Sequence, residues 1–152
     1  MGLRHATGHH DALDFRRGAF FGPTWSPDGK YVVVSSAGEG IFQVRADGAS
    51  QPQALTESKS LQYPTSFTPD GKRLAYLEFG GNAQIWTTPI EEQGGQLKAG
   101  KPEQFLKSSS NDILAEFSPD GRWLAYAHKQ EHEVVFLMNF FDELRRRVPT
   151  SK

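Results

Sequence analysis

At 152 residues the chain is long enough for one domain, which at this size buries roughly two thirds of the surface its unfolded form exposes. Lys and Arg number 17 against 18 Asp and Glu, and the resulting net charge of −1 gives no long-range field for gathering nucleic acid or anionic lipid. Hydrophobic residues at 37% and aromatics at 12% fit an aromatic-rich strand fold and not a disordered chain, while the lack of cysteine excludes disulfides and thiolate metal sites and leaves the redox compartment open.

The first 18 residues, MGLRHATGHHDALDFRRG, read as an N-terminal tail over 1–18. They hold no apolar stretch of signal-peptide length, and nothing later approaches a membrane span. As written, the chain is expected to be soluble, with no membrane insertion and no export signal; its compartment stays unknown. His5, His9 and His10 cluster here and could take up a metal ion adventitiously, but a tail without fixed structure is the plainer reading.

From residue 19 onward the chain repeats itself. WSPDGKYVVVSS starts at Trp25, FTPDGKRLAYLE at Phe67 and FSPDGRWLAYAH at Phe117, so the steps are 42 and 50 residues. The second step is longer because EEQGGQLKAG is inserted at Glu91 to Gly100, a Gly- and Gln-rich stretch expected to be an exposed loop. QPQALTES from Gln51 matches KPEQFLKS from Lys101, and GIFQVRADG from Gly40 holds the place of NAQIWTTPI from Asn82 and HEVVFLMNF from His132. Each unit therefore predicts four short strands: an approach to the aromatic marker, a strand after PDG, an aromatic segment, and a short QAL or QFL piece. The units span 19–58, 59–108 and 109–139, and the third lacks a recognisable fourth strand. Residues 140–152 read as a tail or a short helix over FFDELRRR, with Asp142 as N-cap and arginines near the C-terminus.

The turns carry a mechanism. Pro27, Pro69 and Pro119 preset φ for the first corner of a type I turn. Asp28, Asp70 and Asp120 cap it through their side chains, and Gly29, Gly71 and Gly121 take a positive φ that joins the strands with a bulge. All nine are expected to be structural. Beyond the turns, Val32, Leu74 and Leu124 share a face with Val34, Tyr76 and Tyr126, while Val33, Ala75 and Ala125 occupy the other face. Strands apolar on both sides lie between neighbours. Phe21, Tyr63 and Ile113 lie four residues before the markers and are expected on the same side of their strands as those markers. Four-stranded sheets recurring at this spacing and buried on both faces predict an all-β fold, a partial β-propeller of about three four-stranded antiparallel blades.

The three SPDG-type segments, with VRADG and ALTES between them, resemble the TolB-like β-propeller repeat of bacteria, over roughly Phe21 to Met138. The resemblance implies a propeller, often six-bladed or larger. Such modules occur in periplasmic assembly proteins, beside serine peptidase domains and on bacterial kinases, and the fold transfers none of those activities by itself. Three blades leave apolar faces open at both ends. Two chains could close a six-bladed ring as a homodimer, with DALDFRRG adding a strand to the partner's last blade. The chain could instead be a piece of a longer propeller, or FFDELRRR could fold over the open end. Repeat count alone favours a fragment over a self-sufficient dimer.

Motifs with possible chemistry each have a simpler reading. HKQEH at His128 to His132 matches the H-x-x-E-H pattern of inverted zinc peptidases, but a hairpin between two strands supplies no helix for that spacing. VSSAG from Val34 lacks the glycine of a nucleophile elbow, and EFGGN from Glu78 reads as a hairpin turn. Arg145 to Arg147 form a short basic run near a terminus, and Trp86 and Trp123 occupy strand positions where core packing is the default. No cofactor, metal or catalytic set is expected. The sequence favours a non-catalytic protein-interaction module with a protein or peptide partner. The alternative is an accessory gating or sensor propeller of a larger enzyme, such as a serine peptidase or a bacterial kinase.

Overall fold

The computed structural model describes residues 20–106, 112–128 and 133–137. Among them there is no helix, and the strands form three antiparallel groups in chain order. The first is β1 (Phe20–Trp25), β2 (Tyr31–Ser36), β3 (Gly40–Arg45) and β4 (Gln53–Ala54), paired in that order. The second is β5 (Leu61–Phe67), β6 (Arg73–Phe79), β7 (Ala83–Gln93), β8 (Gln96–Ala99) and β9 (Glu103–Gln104), with β8 and β9 both pairing with β7. The third is β10 (Asp112–Phe117), β11 (Leu124–His128) and β12 (Glu133–Leu137). This is an all-β partial propeller.

The faces follow from the period of two. In β6, Leu74 and Tyr76 point one way and Ala75 and Leu77 the other, and all four are buried. Leu74 and Tyr76, with Phe67, Ile90 and Leu97, meet Tyr31, Val33, Ile41 and Leu55 of the first blade. Ala75 and Leu77, with Ile85 and Phe105, meet Ala115, Phe117, Leu124 and Tyr126 of the third. The second blade is thus filled on both sides. Leu55 and Phe105, from the matching QAL and QFL pieces, complete the two cores at 9% and 1% exposure. Burying a side chain of this kind contributes roughly 1.5–3 kcal/mol.

Two expectations change. The insertion is not a loop: β7 runs eleven residues to Gln93, turns through Gly94 and Gly95 at φ 62° and 74°, and returns as β8. Two consecutive positive φ values match the twist of a two-residue hairpin, which is why a Gly pair sits there. Ile90 and Leu97 anchor it, exposed by only 4% and 6% against the first blade. The same-side expectation for Tyr63 and Phe67 fails as well. A bulge interrupts every first strand, between Phe21 and Thr24, Pro64 and Ser66, and Ile113 and Glu116. An extra residue breaks the alternation, so Tyr63 packs on the core facing the third blade while Phe67 lies in the core facing the first.

The tail over 1–18, with His5, His9 and His10, lies outside the described residues, as do the C-terminal segment 140–152, its FFDELRRR helix and Arg145 to Arg147.

Candidate functional site

Each PDG turn is locked by one hydrogen-bond pattern. In the first, the Ser26 hydroxyl donates to Asp28 Oδ1 at 2.6 Å and accepts from the Tyr31 amide at 2.9 Å. Asp28 Oδ1 also accepts from the Lys30 amide at 3.1 Å, and the Gly29 amide donates to the Ser26 carbonyl at 2.9 Å. In the second, Thr68 donates to Asp70 at 2.6 Å, and the Lys72 and Arg73 amides close the pattern at 3.0 Å each. In the third, Ser118, Asp120 and the amides of Arg122 and Trp123 repeat it at 2.6, 3.0 and 3.0 Å. Gly29, Gly71 and Gly121 all sit at φ 70°, the left-handed region that costs glycine nothing.

These bonds set the charge of the turns. The Ser26 hydroxyl and the Lys30 amide hold the Asp28 carboxyl below its ordinary range. At Asp70 burial is the largest single influence and acts upward, but the Thr68 hydroxyl, the Lys72 amide and the Lys72 charge act against it and the net shift is downward. The Ser118 hydroxyl and Arg122 amide lower Asp120 in the same way. All three carboxylates are acceptors engaged by their own turn. Pro27, Pro69 and Pro119 stand beside them, and the blades' turns interlock: a Cβ built on Gly71 would lie 3.7 Å from Pro27 Cδ, and one on Gly121 would lie 3.2 Å from Pro69 Cδ.

Between the first two turns opens a groove of about 770 Å³. The exposed Pro27 and Pro69 give it apolar surface, the largely buried Phe67, Ile90 and Leu97 touch it from the inter-blade core, and Lys72, Glu91 and Glu92 contribute charge at its rim. The β7–β8 hairpin forms one side and is clasped to the first blade. Gln43 Nε2 donates to the Leu97 carbonyl at 2.7 Å, and the Leu97 amide donates to Gln43 Oε1 at 2.7 Å. The Tyr31 hydroxyl donates to Glu92 Oε1 at 3.0 Å, and Lys30 Nζ reaches Glu92 Oε2 at 3.3 Å. Burial, then Glu92, pushes the Tyr31 phenol up, and Glu92 raises Lys30. Sequence reasoning missed this clasp; the available signal was the Gly94–Gly95 pair between Ile90 and Leu97.

The remaining motifs fall into ordinary places. His128 closes β11 and pairs with Glu133 of β12, so the start of HKQEH is strand; 129–132 lie outside the described residues. No group of three metal-ligating side chains occurs among the described residues. Ser35 donates to the Gln62 carbonyl and Ser36 to Glu39 Oε2 at 2.7 Å, which occupies the serines of VSSAG. EFGGN turns from β6 into β7. Trp86 packs part-buried on the first inter-blade core. Trp123 differs from the strand-core expectation: it precedes β11 and lines a solvent-open groove with Pro119 and Ala125.

Sheets stacked face to face with interlocking turns define a segment of a β-propeller. Solved structures agree. The chain is similar to TolB from Acinetobacter baumannii at 21% identity and TM-score 0.51, covering 78% of this chain and 32% of that one. It is similar to the Cps50 (Swd1) β-propeller domain from Myceliophteria thermophila at 14% identity and TM-score 0.57, covering 85% and 43%. It is also similar to the tricorn protease at 18% identity and TM-score 0.51, covering 81% of this chain and 13% of that one. The chain thus spans less than half of each of these proteins, and the likeness is one of fold. No protein-family model and no curated protein matches the sequence.

Proposed function

We propose that the chain is a non-catalytic interaction module that holds a protein or peptide segment in the groove between its first two turns. The observation that carries this is the groove's construction: exposed proline surface, charged rims of both signs, and polar side chains already committed to the turns. Ser26 both donates and accepts within its turn, and Asp28 and Asp70 are held as structural acceptors. Such a surface suits recognition of an extended segment with alternating apolar and charged positions. The test is a peptide array probed with the chain, followed by titration of the best binder. Lys72→Glu with Glu91→Arg, both exposed on the rim, is expected to weaken binding at least tenfold. Turnover of a peptide or ester panel that disappears with Ser26→Ala would overturn the reading.

A second reading rests on the match to 13% of the tricorn protease chain: an accessory gating or sensor segment of a larger enzyme, such as a serine peptidase or a bacterial kinase. An in-frame hydrolase or kinase domain in the neighbouring coding sequence would favour it. For the end faces of the stack, the partner proposed is a second copy of the chain, completing a six-bladed ring.

A further inference from the structure

Asp is followed by Gly four times in the chain, at Asp28–Gly29, Asp47–Gly48, Asp70–Gly71 and Asp120–Gly121. Three of these are the PDG turns, and the fourth lies in the turn after β3. The pair invites a rearrangement of the main chain, because glycine has no side chain to shield its amide nitrogen. That nitrogen attacks the aspartyl Cγ. An N–Cγ bond forms, and the amide proton and the carboxyl OH leave as water. The resulting succinimide takes water back, and opening at the carbonyl on Cα yields isoaspartate. The peptide bond then runs through Cγ, the main chain is longer by one methylene, and no electrons are exchanged. The reaction needs a free glycine amide and a neutral carboxyl within its reach.

All four turns engage both reactants, and in the same way. The amides of Gly29, Gly48, Gly71 and Gly121 donate to the carbonyls of Ser26, Arg45, Thr68 and Ser118 at 2.9, 3.1, 2.8 and 2.9 Å. Each aspartate Oδ1 accepts from the amide beyond the glycine, that of Lys30, Ala49, Lys72 or Arg122, at 3.1, 2.9, 3.0 and 3.0 Å. The four glycines share φ 70°. The carboxyls stand below their ordinary range, Asp47 at about 2, and an ionised carboxylate is the poorer electrophile.

A third bond separates the four. At Asp28, Asp70 and Asp120 it comes from a neutral hydroxyl, that of Ser26, Thr68 or Ser118, at 2.6 Å each. At Asp47 it comes from the Arg45 guanidinium, whose Nε lies 3.1 Å from Oδ1 and whose Nη2 also donates to Oδ2. The two side chains are 38% and 50% exposed. Salt screens an ion pair so exposed and leaves a neutral hydroxyl bond in place. Asp28 also has Lys30 Nζ at 3.5 Å, so Asp70 and Asp120 are the contrast for salt.

We propose that the four Asp–Gly bonds are latent isoaspartate sites held closed by their own turns, and that Asp47–Gly48 is the one that salt opens in the folded chain. Conversion at Asp70 or Asp120 lengthens a turn seated on the proline of the preceding blade, Pro27 or Pro69, and so works against the stack. Gly48 has no such neighbour, since nothing lies within 4 Å of a Cβ built there. These sites are independent of the interaction reading, so either proposal can fail alone.

The test is incubation of the full chain at neutral pH, folded and in urea, with isoaspartate quantified at each site by peptide mapping with electron-transfer fragmentation. Formation is expected to be at least about tenfold slower at all four sites in the folded chain, where local opening limits it. Molar salt is expected to speed Asp47 in the folded chain about two- to fivefold, the range of an exposed ion pair, with Asp70 and Asp120 unchanged. Ser26→Ala is expected to speed Asp28 about tenfold, the effect of losing one bond to a charged group, and to leave Asp120 unchanged. Ser118→Ala should do the converse. Equal rates in the folded and unfolded chain overturn the proposal. So does a salt effect absent from Asp47 or shared equally by Asp70 and Asp120. A rise shared by Asp28 and Asp120 in Ser26→Ala overturns it too, because protection then belongs to the fold at large and not to the turn.

Discussion

Leu74 and Val32 hold the same place in consecutive copies of the repeat, yet Leu74 is fully buried and Val32 is part-exposed. Phe67 and Trp25 differ in the same sense, at 8% and 60%. Both positions are apolar in both copies, so the local apolar pattern does not explain this. The difference lies in what stands opposite. The second blade has a neighbour on each side, and the first blade has its described neighbour on one. An equivalent repeat position is therefore core in one copy and part-exposed in another, as expected when each unit buries its faces only against adjacent units.

The largest effect that sharpens this contrast is Leu74→Ala, expected to cost about 2–5 kcal/mol, against about 1 kcal/mol or less for Val32→Ala. Urea unfolding of both variants checks it, and equal losses would break the comparison. Next comes the clasp. Gln43→Ala strands the Leu97 amide and carbonyl, which are buried with that residue, and should cost about 1–3 kcal/mol. A loss within error would mean that the hairpin does not bind the first blade.

The turn glycines give a finer comparison. Gly29→Ala and Gly121→Ala meet the same backbone strain at φ 70°, but only the second places its Cβ against a neighbouring proline, at 3.2 Å. Gly121→Ala should be the more destabilising by a few tenths to about 1 kcal/mol, readable as a lower urea midpoint. The smallest effect is acid sensitivity. The turn aspartates are lowered relative to their unfolded values, so their stabilisation is present above the unfolded carboxyl range and is lost as pH falls through the folded values. Replacing Asp28, Asp70 and Asp120 by Asn should reduce the fall in melting temperature between about pH 4 and pH 2. An unchanged slope would remove these turns from the acid response.

Much of this architecture was legible because the repeat states it three times. PDG fixes a turn whose bonds lie within six residues, and the period of two after it assigns faces without reference to the rest of the chain. What the sequence hid depends on distance or on a broken period. The bulges at Gly22, Pro64 and Leu114 have no common residue type, and Leu114 takes φ 58° without being glycine. The clasp joins Gln43 to Leu97 across 54 residues. Composition marked the insertion as a loop, and the two apolar anchors that make it a hairpin were too few to form a pattern. The groove is not encoded in any one segment; it exists because two turns and that hairpin meet.

The stack is held by blades that interlock through their turns. Nuclear Overhauser effects between the Pro27 δ-protons and the Gly71 α-protons, and between those of Pro69 and Gly121, report that contact directly and do not depend on oligomeric state. Both are expected in the folded chain. Intact strand pairing within each blade with neither cross-peak present would contradict the stack.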